Sequence, residues 1–351
     1  MVEQILIKFF REIDLSDPFF ESLKEDYPGF SEWFERKSSE GKFAFVQYNR
    51  AGQLQAFLFL KIENGELDDI EPIRSTAKRL KVGTFKIDAH NTKLGERFIK
   101  KITDIAIAEN VDEIYVTIFN KHAGLIALLK KYGFIYVGKK IEEDVLVKSM
   151  KILRGDQLKD YPLICLRDKR KFLLSIYPKY HTKLFPDSIL NNEESYKYDL
   201  VRDVSYTNSI HKIYICFMSD VASLRKGDLI AIYRTNDYQG PARYRSVITS
   251  ICEVEEVKTK SDFENIKKFV EYTNAYSIFD ESDLRKWYQR DNVITIKMTY
   301  NIALTKRVTR GYLLDNLGIS SDIYWGFFRL SDEQFRGILE KGEINENIII
   351  D

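Results

Sequence analysis

The chain has few cysteines and no long hydrophobic run, and each shortage excludes a class of protein. Its three cysteines, Cys165, Cys216 and Cys252, lie far apart among 351 residues and form no C-x-x-C pair. This spacing argues against a disulfide framework or a zinc site, and separate thiols are typical of a reducing cytoplasm. No apolar run reaches the roughly 20 residues of a membrane span, and the first residues do not resemble a secretory signal. We therefore predict a cytoplasmic protein without a metal site or a membrane partner.

The chain also has almost no net charge, because 54 Lys and Arg residues balance 53 Asp and Glu residues. The overall charge therefore does not indicate a polyanionic partner. A hydrophobic fraction of 44% excludes global disorder, and a length of 351 residues is typical of about two domains. The 23 Phe and 21 Tyr residues predict large aromatic cores or a surface on which rings stack.

The patterns of hydrophobic residues divide the chain into three regions and predict an α/β (α+β) fold. Residues 1–150 alternate strand and helix patterns, which predicts a mixed sheet flanked by helices. Residues 151–204 begin with a stretch rich in lysine and arginine and are predicted to be a basic connecting segment. Residues 205–351 contain many short strands separated by turn signals, which predicts a small β-barrel domain.

The predicted elements of the first region follow the order β-α-α-β-β-β-α-β-α-β-β. Its clearest elements are strands at 42–48, 53–62, 80–88 and 113–119 and helices at 93–110 and 123–131. The acidic and polar stretch 64–79 is predicted to be a loop, with a short helix as an option. In the last region, strands are predicted at 212–217, 228–233, 245–257 and 292–303, and helices at 262–271, 282–289 and 331–341.

One strand–turn–helix segment has the features of a phosphate site. A strand ends at Ile87, a polar turn follows, and a helix begins near Leu94 and Gly95. Such a turn directs backbone N–H groups toward one point, and the helix dipole adds positive potential there. Gly95 would allow close approach of a ligand, and Lys93 could add a charge-assisted contact. The alternative is an ordinary connection between a strand and a helix.

The order of elements resembles that of the GCN5-related N-acetyltransferase (GNAT) family throughout the first region. That family holds the pyrophosphate of acetyl-CoA on an Arg/Gln-x-x-Gly-x-Gly/Ala loop after its fourth strand, and the matching string here is 90–95, in which Gly95 keeps the pattern. The resemblance implies acetyl-CoA as co-substrate and transfer of its acetyl group to an amine. The implied cofactor-binding residues are Phe85, Ile87, Asn91, Thr92, Lys93, Leu94, Gly95, Glu96, Asn120 and His122.

A second motif of the family ends in Gly-Phe, which is present here as Gly133-Phe134. The family often has a Tyr four residues before this ending, as the acid that protonates the departing thiolate, and Leu129 stands in that position. Tyr132 on the same helix, or His122 at its start, could substitute. We therefore predict Tyr132 as a catalytic residue, with a packing aromatic as the alternative.

The transfer also needs a base that takes a proton from the attacking amine. Glu71, in the acidic run 66–71 before the fourth strand, is the predicted base. This run could also attract a cationic substrate. The alternative is a solvated acidic loop without a catalytic role.

The last region resembles, less closely, the PUA/ASCH-like β-barrels that often bind RNA. The resemblance depends on the string 226–234, a Lys-Gly-Asp turn that enters a strand ending in Tyr-Arg. Arginines and tyrosines interleave after this strand, and a second basic cluster lies near Trp325, which suits phosphates and stacked bases. The predicted nucleic-acid-binding residues are Arg234, Arg243, Arg245, Arg307 and Arg310. The alternative is exposed charges around tyrosines of a barrel core.

Two functions follow from these patterns. The first is an acyl-CoA-dependent N-acetyltransferase whose second domain binds the substrate or RNA. The alternative is a non-catalytic nucleic-acid-binding protein that carries a degenerate acetyltransferase fold. The residues specify neither the acceptor amine nor the oligomeric state.

Overall fold

The computed structural model of the chain describes residues 5–88, 93–188 and 209–351. The chain divides into two compact units, Met1–Ile152 and Leu153–Asp351. The boundary between the two units lies close to residue 150, the predicted end of the first region. None of the helices in the described residues is both long enough and apolar enough to cross a bilayer.

The first unit is a seven-stranded mixed sheet with helices on its faces. Its elements are β1 (Leu6–Phe9), α1 (Glu21–Asp26), α2 (Phe30–Ser39), β2 (Phe43–Tyr48), β3 (Leu54–Leu67), β4 (Arg74–Ile87), α3 (Leu94–Ala108), β5 (Glu113–Ile118), α4 (Ala123–Lys131), β6 (Ile135–Lys140) and β7 (Glu143–Ser149). The strand order is β1-β2-β3-β4-β5-β7-β6, and all neighbours are antiparallel except β4 and β5, which are parallel. The predicted order of elements and the mixed α/β sheet are confirmed.

Aromatic side chains attach the helices to the two faces of this sheet. Phe57 of β3 contacts Phe34 of α2, with ring centroids 6.3 Å apart. Phe85 of β4 contacts Phe98 of α3, with centroids 5.8 Å apart. Phe85 is paired with the residue after Phe57, and successive strand residues point to opposite faces. Helices α2 and α3 therefore cover opposite faces of the sheet.

The β3–β4 hairpin is longer than the sequence analysis predicts. Residues 64–79, predicted as a loop, contain the end of β3 and the first six residues of β4, which begins at Arg74. Opposite charges pair across the strands, as at Glu63 opposite Arg79. Such cross-strand pairs stabilise a hairpin although the sequence there is polar. The Arg79 side chain, 2% exposed, also bonds to Glu113 of β5 at 2.9 Å.

The second unit is a six-stranded mixed sheet with short helices around it. Its strands are β8 (Lys171–Ile176), β9 (His211–Cys216), β10 (Leu229–Arg234), β11 (Val247–Thr259), β12 (Ile294–Thr309) and β13 (Phe327–Leu330). Its helices are α5 (Gln157–Asp160), α6 (Pro178–Leu184), α7 (Ala242–Arg245), α8 (Ile266–Asn274), α9 (Glu281–Tyr288), α10 (Arg310–Asp315) and α11 (Asp332–Lys341). The strand order is β13-β8-β10-β11-β12-β9, in which β8 and β10 are parallel.

The described part of the predicted connecting segment is a component of the second unit, which differs from the sequence-based expectation. β8 lies between β10 and β13 in the sheet, and its Leu173 and Leu174 are fully buried. Basic residues flank this apolar strand. A prediction based on local charge therefore assigns the segment to a basic connection and misses the strand. Lys171 itself is only 3% exposed and bonds to Asp332 at 2.9 Å.

Candidate functional site

Two neighbouring parallel strands of the first unit separate partway along their length. β4 pairs with β5 from Arg79 opposite Glu113 to Val82 opposite Val116. Beyond that point β4 continues through residues 83–87 and pairs with β3, and Gly83 is an extra residue in that register. Such a bulge bends a strand. In the described residues no strand pairs with the β5 side of residues 83–87, so their main-chain groups are open to an extended ligand. We call this divergence of residues 83–87 from β5 the fork.

Two helices begin beside the open end of the fork. α3 begins at Leu94, after β4, and α4 begins at Ala123, after β5. Because β4 and β5 are parallel neighbours, their carboxyl ends lie at the same edge of the sheet, and so do the two helix starts. The unpaired N–H groups and dipoles of helix starts attract anions.

Gly95 has a packing role beyond the one that the sequence suggests. A Cβ atom on Gly95 would lie 2.7 Å from Cδ2 of Leu128 and 3.7 Å from Cδ1 of Ile87. The absent side chain therefore lets α3 pack closely on α4 and on the end of β4. The structure thus shows a packing role for Gly95 in addition to the contact with a ligand that the sequence predicts.

The other predicted cofactor residues of this segment have mixed environments. The Phe85 ring packs on α3, as described above, and Leu94 is 3% exposed. Glu96 accepts a hydrogen bond of 2.6 Å from Lys131, which links the first turn of α3 to α4. Lys93 occupies the N-cap position of α3. Asn91 and Thr92 lie outside the described residues.

The turn between β5 and α4 contacts the end of α1. His122, at the N-cap of α4, lies 3.0 Å through Nε2 from the Asp26 carboxylate, and Lys121 bonds to the same group. The Asp26 side chain is 8% exposed, so this contact is partly shielded from solvent. Asn120 in the same turn is exposed. Asn120 and His122, two predicted cofactor residues, thus lie in a turn that Asp26 fixes. The sequence analysis did not predict a role for Asp26.

A tyrosine at the end of α1 forms a second contact beside the open end of the fork. The Tyr27 hydroxyl donates a hydrogen bond of 2.7 Å to Glu143 of β7, and its ring lies 5.3 Å from that of Phe119. Burial, and then the bond to Glu143, raise the pKa of Tyr27, so the phenol stays protonated. No local sequence signal predicts this contact, because its partners are separated by 116 residues.

The structure does not bring the two predicted catalytic residues together at the fork. Glu71 is exposed and pairs through its main chain with Lys139 of β6, with N–O distances of 2.7 and 2.8 Å. Strands β7 and β6 therefore lie between Glu71 and β5. Tyr132 is fully buried at the C-terminal end of α4, about 15 Å along the helix axis from His122. Leu129, in the family's tyrosine position, is also fully buried.

A cavity of about 420 Å³ borders the paired end of the fork. It is lined by the β3–β4 hairpin and by Tyr115 of β5, which lies opposite Lys81 in the strand register. The next register pair, Val82 opposite Val116, is the last before the strands diverge. Glu71 is not among its lining residues. The cavity therefore adjoins the point at which the fork opens.

The five predicted nucleic-acid-binding arginines do come together, at one end of the second unit's sheet. Arg234 ends β10 opposite Val247, the first residue of β11, and Val247 lies opposite Thr309 near the end of β12. The remaining four lie in α7, which precedes β11, and at the end of β12 and the start of α10. We call this end, with Arg234, Arg243, Arg245, Arg307 and Arg310, the arginine end.

Most of these arginines are held by other protein groups. Arg245 donates to Asp237 at 2.6 Å, and this hydrogen bond lowers the pKa of Asp237 to about 2. Arg243 forms an ion pair with Asp315. The Arg310 guanidinium lies 4.4 Å from the centroid of Trp325. The charges at the arginine end are therefore partly neutralised within the protein.

Exposed tyrosines surround the arginine end. Tyr238 is 85% exposed, Tyr324 69% and Tyr244 67%. They follow β10, precede Trp325 and lie in α7, respectively. Large exposed rings beside arginines suit stacking of unpaired bases. Tyr233 of β10, by contrast, is only 2% exposed and belongs to the core.

A buried chain of hydroxyl groups crosses the second unit's sheet. Ser188 lies 2.7 Å from the Tyr300 hydroxyl and 2.8 Å from Ser250, which in turn lies 3.2 Å from Thr249. His181 contacts Thr249 at 2.7 Å. Burial, with the charges of two nearby arginines, lowers the pKa of His181 to about 3, so this ring is neutral at pH 7. The hydroxyl groups and His181 Nε2 bond to one another in the core, whereas His181 Nδ1 is buried without a partner among the described residues, and the sequence offers no signal for this cluster.

The described residues contain no group of three or more His, Cys, Asp or Glu side chains arranged to hold a metal ion. The three cysteines are free thiols, and Cys216 and Cys252 are buried. Burial raises the pKa of Cys216 to about 12, so this thiol is not a nucleophile at neutral pH.

No protein-family model matches the chain, and no curated protein matches it. Among solved structures, the chain is similar to ASCH from Zymomonas mobilis, with 7% identity and a TM-score of 0.33 over 49% of this chain and 96% of that one. It is also similar to the Campylobacter jejuni N-acetyltransferase PseH in complex with acetyl coenzyme A, with 14% identity and a TM-score of 0.29 over 42% and 99% of the two chains. A KacTA–DNA complex has 16% identity and a TM-score of 0.30 over 42% and 93%.

Proposed function

We propose that the first unit is an acetyl-CoA-dependent N-acetyltransferase that transfers an acetyl group to an amine. The observation that carries the proposal is the fork, where residues 83–87 of β4 leave β5 and keep an open main-chain edge. An extended, amide-containing arm can pair with such an edge as an added strand would. The two helix starts at the same edge suit the diphosphate of the same molecule.

The reaction needs the thioester carbonyl and the amine to meet in a fixed orientation. The amine nitrogen attacks the carbonyl carbon, the C–S bond breaks, and the electron pair goes to sulfur. The thiolate is a tolerable leaving group near its own pKa, so the burial of Tyr132 does not prevent the step. His122, bound to Asp26, holds the turn before α4 beside the open end of the fork.

Calorimetric titration of the full chain with acetyl-CoA tests the proposal. Lys93→Glu reverses a charge at the N-cap of α3 and is expected to weaken binding about tenfold or more, through repulsion of the diphosphate. An acidic residue at a helix start is itself favourable, so the variant should keep its melting temperature. Lys42→Glu, an exposed lysine before β2, makes the same charge change away from the helix starts and should bind normally.

Two results would contradict the proposal. The first is the absence of heat and of thermal stabilisation at millimolar acetyl-CoA, since a ligand of the folded state must stabilise it. The second is equal loss of binding in both lysine variants, which would indicate a non-specific effect of charge.

We propose nucleic-acid binding as a second function, at the arginine end of the second unit. The observation that favours it is the set of exposed tyrosines beside Arg310 and Trp325. For the whole protein, the competing function is RNA binding at the arginine end without acetyl transfer.

A further inference from the structure

The cavity beside the fork has the size of a small-molecule site and a polar lining. Its volume of about 420 Å³ lies in the lower part of the range of roughly 300–1,000 Å³ for ligand pockets. Its charged lining residues are Lys61, Glu63, Glu66, Asp68, Asp69, Arg79 and Lys81. A hydrophilic ligand therefore fits it better than an apolar one.

One carboxylate in this cavity has a fixed orientation and an accessible oxygen. The Tyr115 hydroxyl, on a side chain that is 2% exposed, donates to Oε2 of Glu63. Lys61 bonds to the other oxygen, Oε1, at 2.9 Å, and its side chain is 59% exposed, while Lys81 lies 3.9 Å from the same oxygen. Such an exposed ion pair contributes little, so an incoming ammonium can replace Lys61 at Oε1 while Tyr115 keeps Glu63 in place.

The ionisation of these groups agrees with a role in binding a cation. Burial alone would raise the pKa of Glu63, but the hydrogen bonds from Tyr115 and Lys61 and the charge of Lys81 hold it below its usual value. Glu63 is therefore a carboxylate at pH 7. Burial lowers the pKa of Lys81 from its ordinary value, and the charge of Glu63 opposes this shift.

The walls of the cavity are fixed by the fold. Arg79 donates to the Gly65 carbonyl at 2.8 Å, which holds the tip of the hairpin. Leu67 and Ile70 pack against Tyr115 and Val145. The loop between β3 and β4 also reaches β6, where Asp69 bonds to Lys140. The cavity therefore exists before a ligand enters, which lowers the entropic cost of binding.

Two carboxylates at the rim of the cavity have no ion-pair partner among the described residues. Asp69 is paired with Lys140, and Arg79 is paired with Glu113 of β5. Glu66 and Asp68 are exposed, and neither forms an ion pair with another described residue. A ligand with one ammonium at Glu63 can thus place a second ammonium at Glu66 and Asp68.

We propose that this cavity binds the acceptor of the acetyl transfer and that the acceptor is an aliphatic di- or polyamine. The inference rests on the proposed function of the fork. Glu63 binds the ammonium that reacts, next to the last paired residues of β4 and β5, and Glu66 and Asp68 bind the distal ammonium. The reacting ammonium releases one proton to solvent, its nitrogen bonds to the thioester carbon, the C–S bond breaks, and the second proton goes to the thiolate.

Two amines of equal length test the substrate class. With acetyl-CoA and the full chain, 1,4-diaminobutane should be acetylated with a kcat/KM about tenfold or more above that of 4-aminobutanoate, whose carboxylate would be repelled at the rim. Equal rates, or a preference for the amino acid, would overturn the proposal. So would acetylation of neither amine by a chain that binds acetyl-CoA.

Variants of Glu63 and of its ion-pair partner Lys61 test the site itself. Glu63→Gln keeps an acceptor for Tyr115 but removes the charge, and it should raise the KM for 1,4-diaminobutane about tenfold without changing the KM for acetyl-CoA. Lys61→Gln frees Oε1 and should lower the KM for the diamine. Glu25→Gln, an exposed carboxylate on α1, is the matched control and should change neither. An unchanged KM in Glu63→Gln would overturn the assignment.

Direct titrations separate this inference from the proposed function. If acetyl-CoA binds and 1,4-diaminobutane does not, the cavity assignment is wrong and the fork remains. If acetyl-CoA does not bind, the proposed function is wrong. In that case, titration of the diamine into the full chain and into Glu63→Gln still decides whether the cavity holds a diamine.

Discussion

The fork and the arginine end differ in whether their polar groups have partners within the protein. At the fork, residues 83–87 have an open main-chain edge among the described residues, and the helix starts beside it are fixed by packing such as that of Gly95 on Leu128. At the arginine end, charged side chains are numerous, but Arg243 and Arg245 are held by carboxylates. The difference lies in the partners: no described strand pairs with the open edge at the fork, whereas carboxylates within the protein already bind part of the charge at the arginine end.

The same contrast separates two arginines that look alike in the sequence. Arg79 is 2% exposed and bonds to Glu113 and to two main-chain carbonyls, whereas Arg243 pairs with Asp315 on an exposed surface. Arg79→Met should therefore destabilise the protein by about 3 kcal/mol, because it removes one partner of a buried pair. Arg243→Met should not change the unfolding curve measurably. Urea unfolding of the full chain checks both, and similar losses in the two variants would contradict the comparison.

A smaller effect is expected for RNA at the arginine end. Because carboxylates already neutralise part of its charge, few phosphates can be contacted. The logarithm of the affinity for a single-stranded RNA should then fall with the logarithm of salt concentration with a slope of about 2 in magnitude. Fluorescence anisotropy at several salt concentrations measures this slope. A much steeper slope would show that the arginines leave their carboxylates, and undetectable binding would remove nucleic acid as a partner.

The order of elements in the first unit could be predicted because each element has its own hydrophobic period. Helix α4 begins and ends at the predicted residues, Ala123 and Lys131. Strand β8 was hidden because lysines and arginines flank its apolar core. The extension of the β3–β4 hairpin was missed because it depends on opposite charges that pair across the two strands. A local stretch of sequence does not show such pairs.

The site residues were harder to predict than the fold. Glu63 and Tyr115 are separated by 52 residues, and neither stands in a recognisable motif. Asp26 and His122 meet only because the end of α1 lies on the turn after β5. Gly95 was assigned from its place at a helix start, but only the packed structure shows that Leu128 fills the space in front of it. Contacts between distant segments decide these roles, and a local pattern does not contain them.

Hydrogen–deuterium exchange of the full chain, with and without acetyl-CoA, tests the fork most directly. Acetyl-CoA should slow amide exchange in residues 83–87 and in the first turns of α3 and α4, and it should not change exchange in residues 209–351. Unchanged exchange in residues 83–87, or protection confined to the second unit, would contradict it.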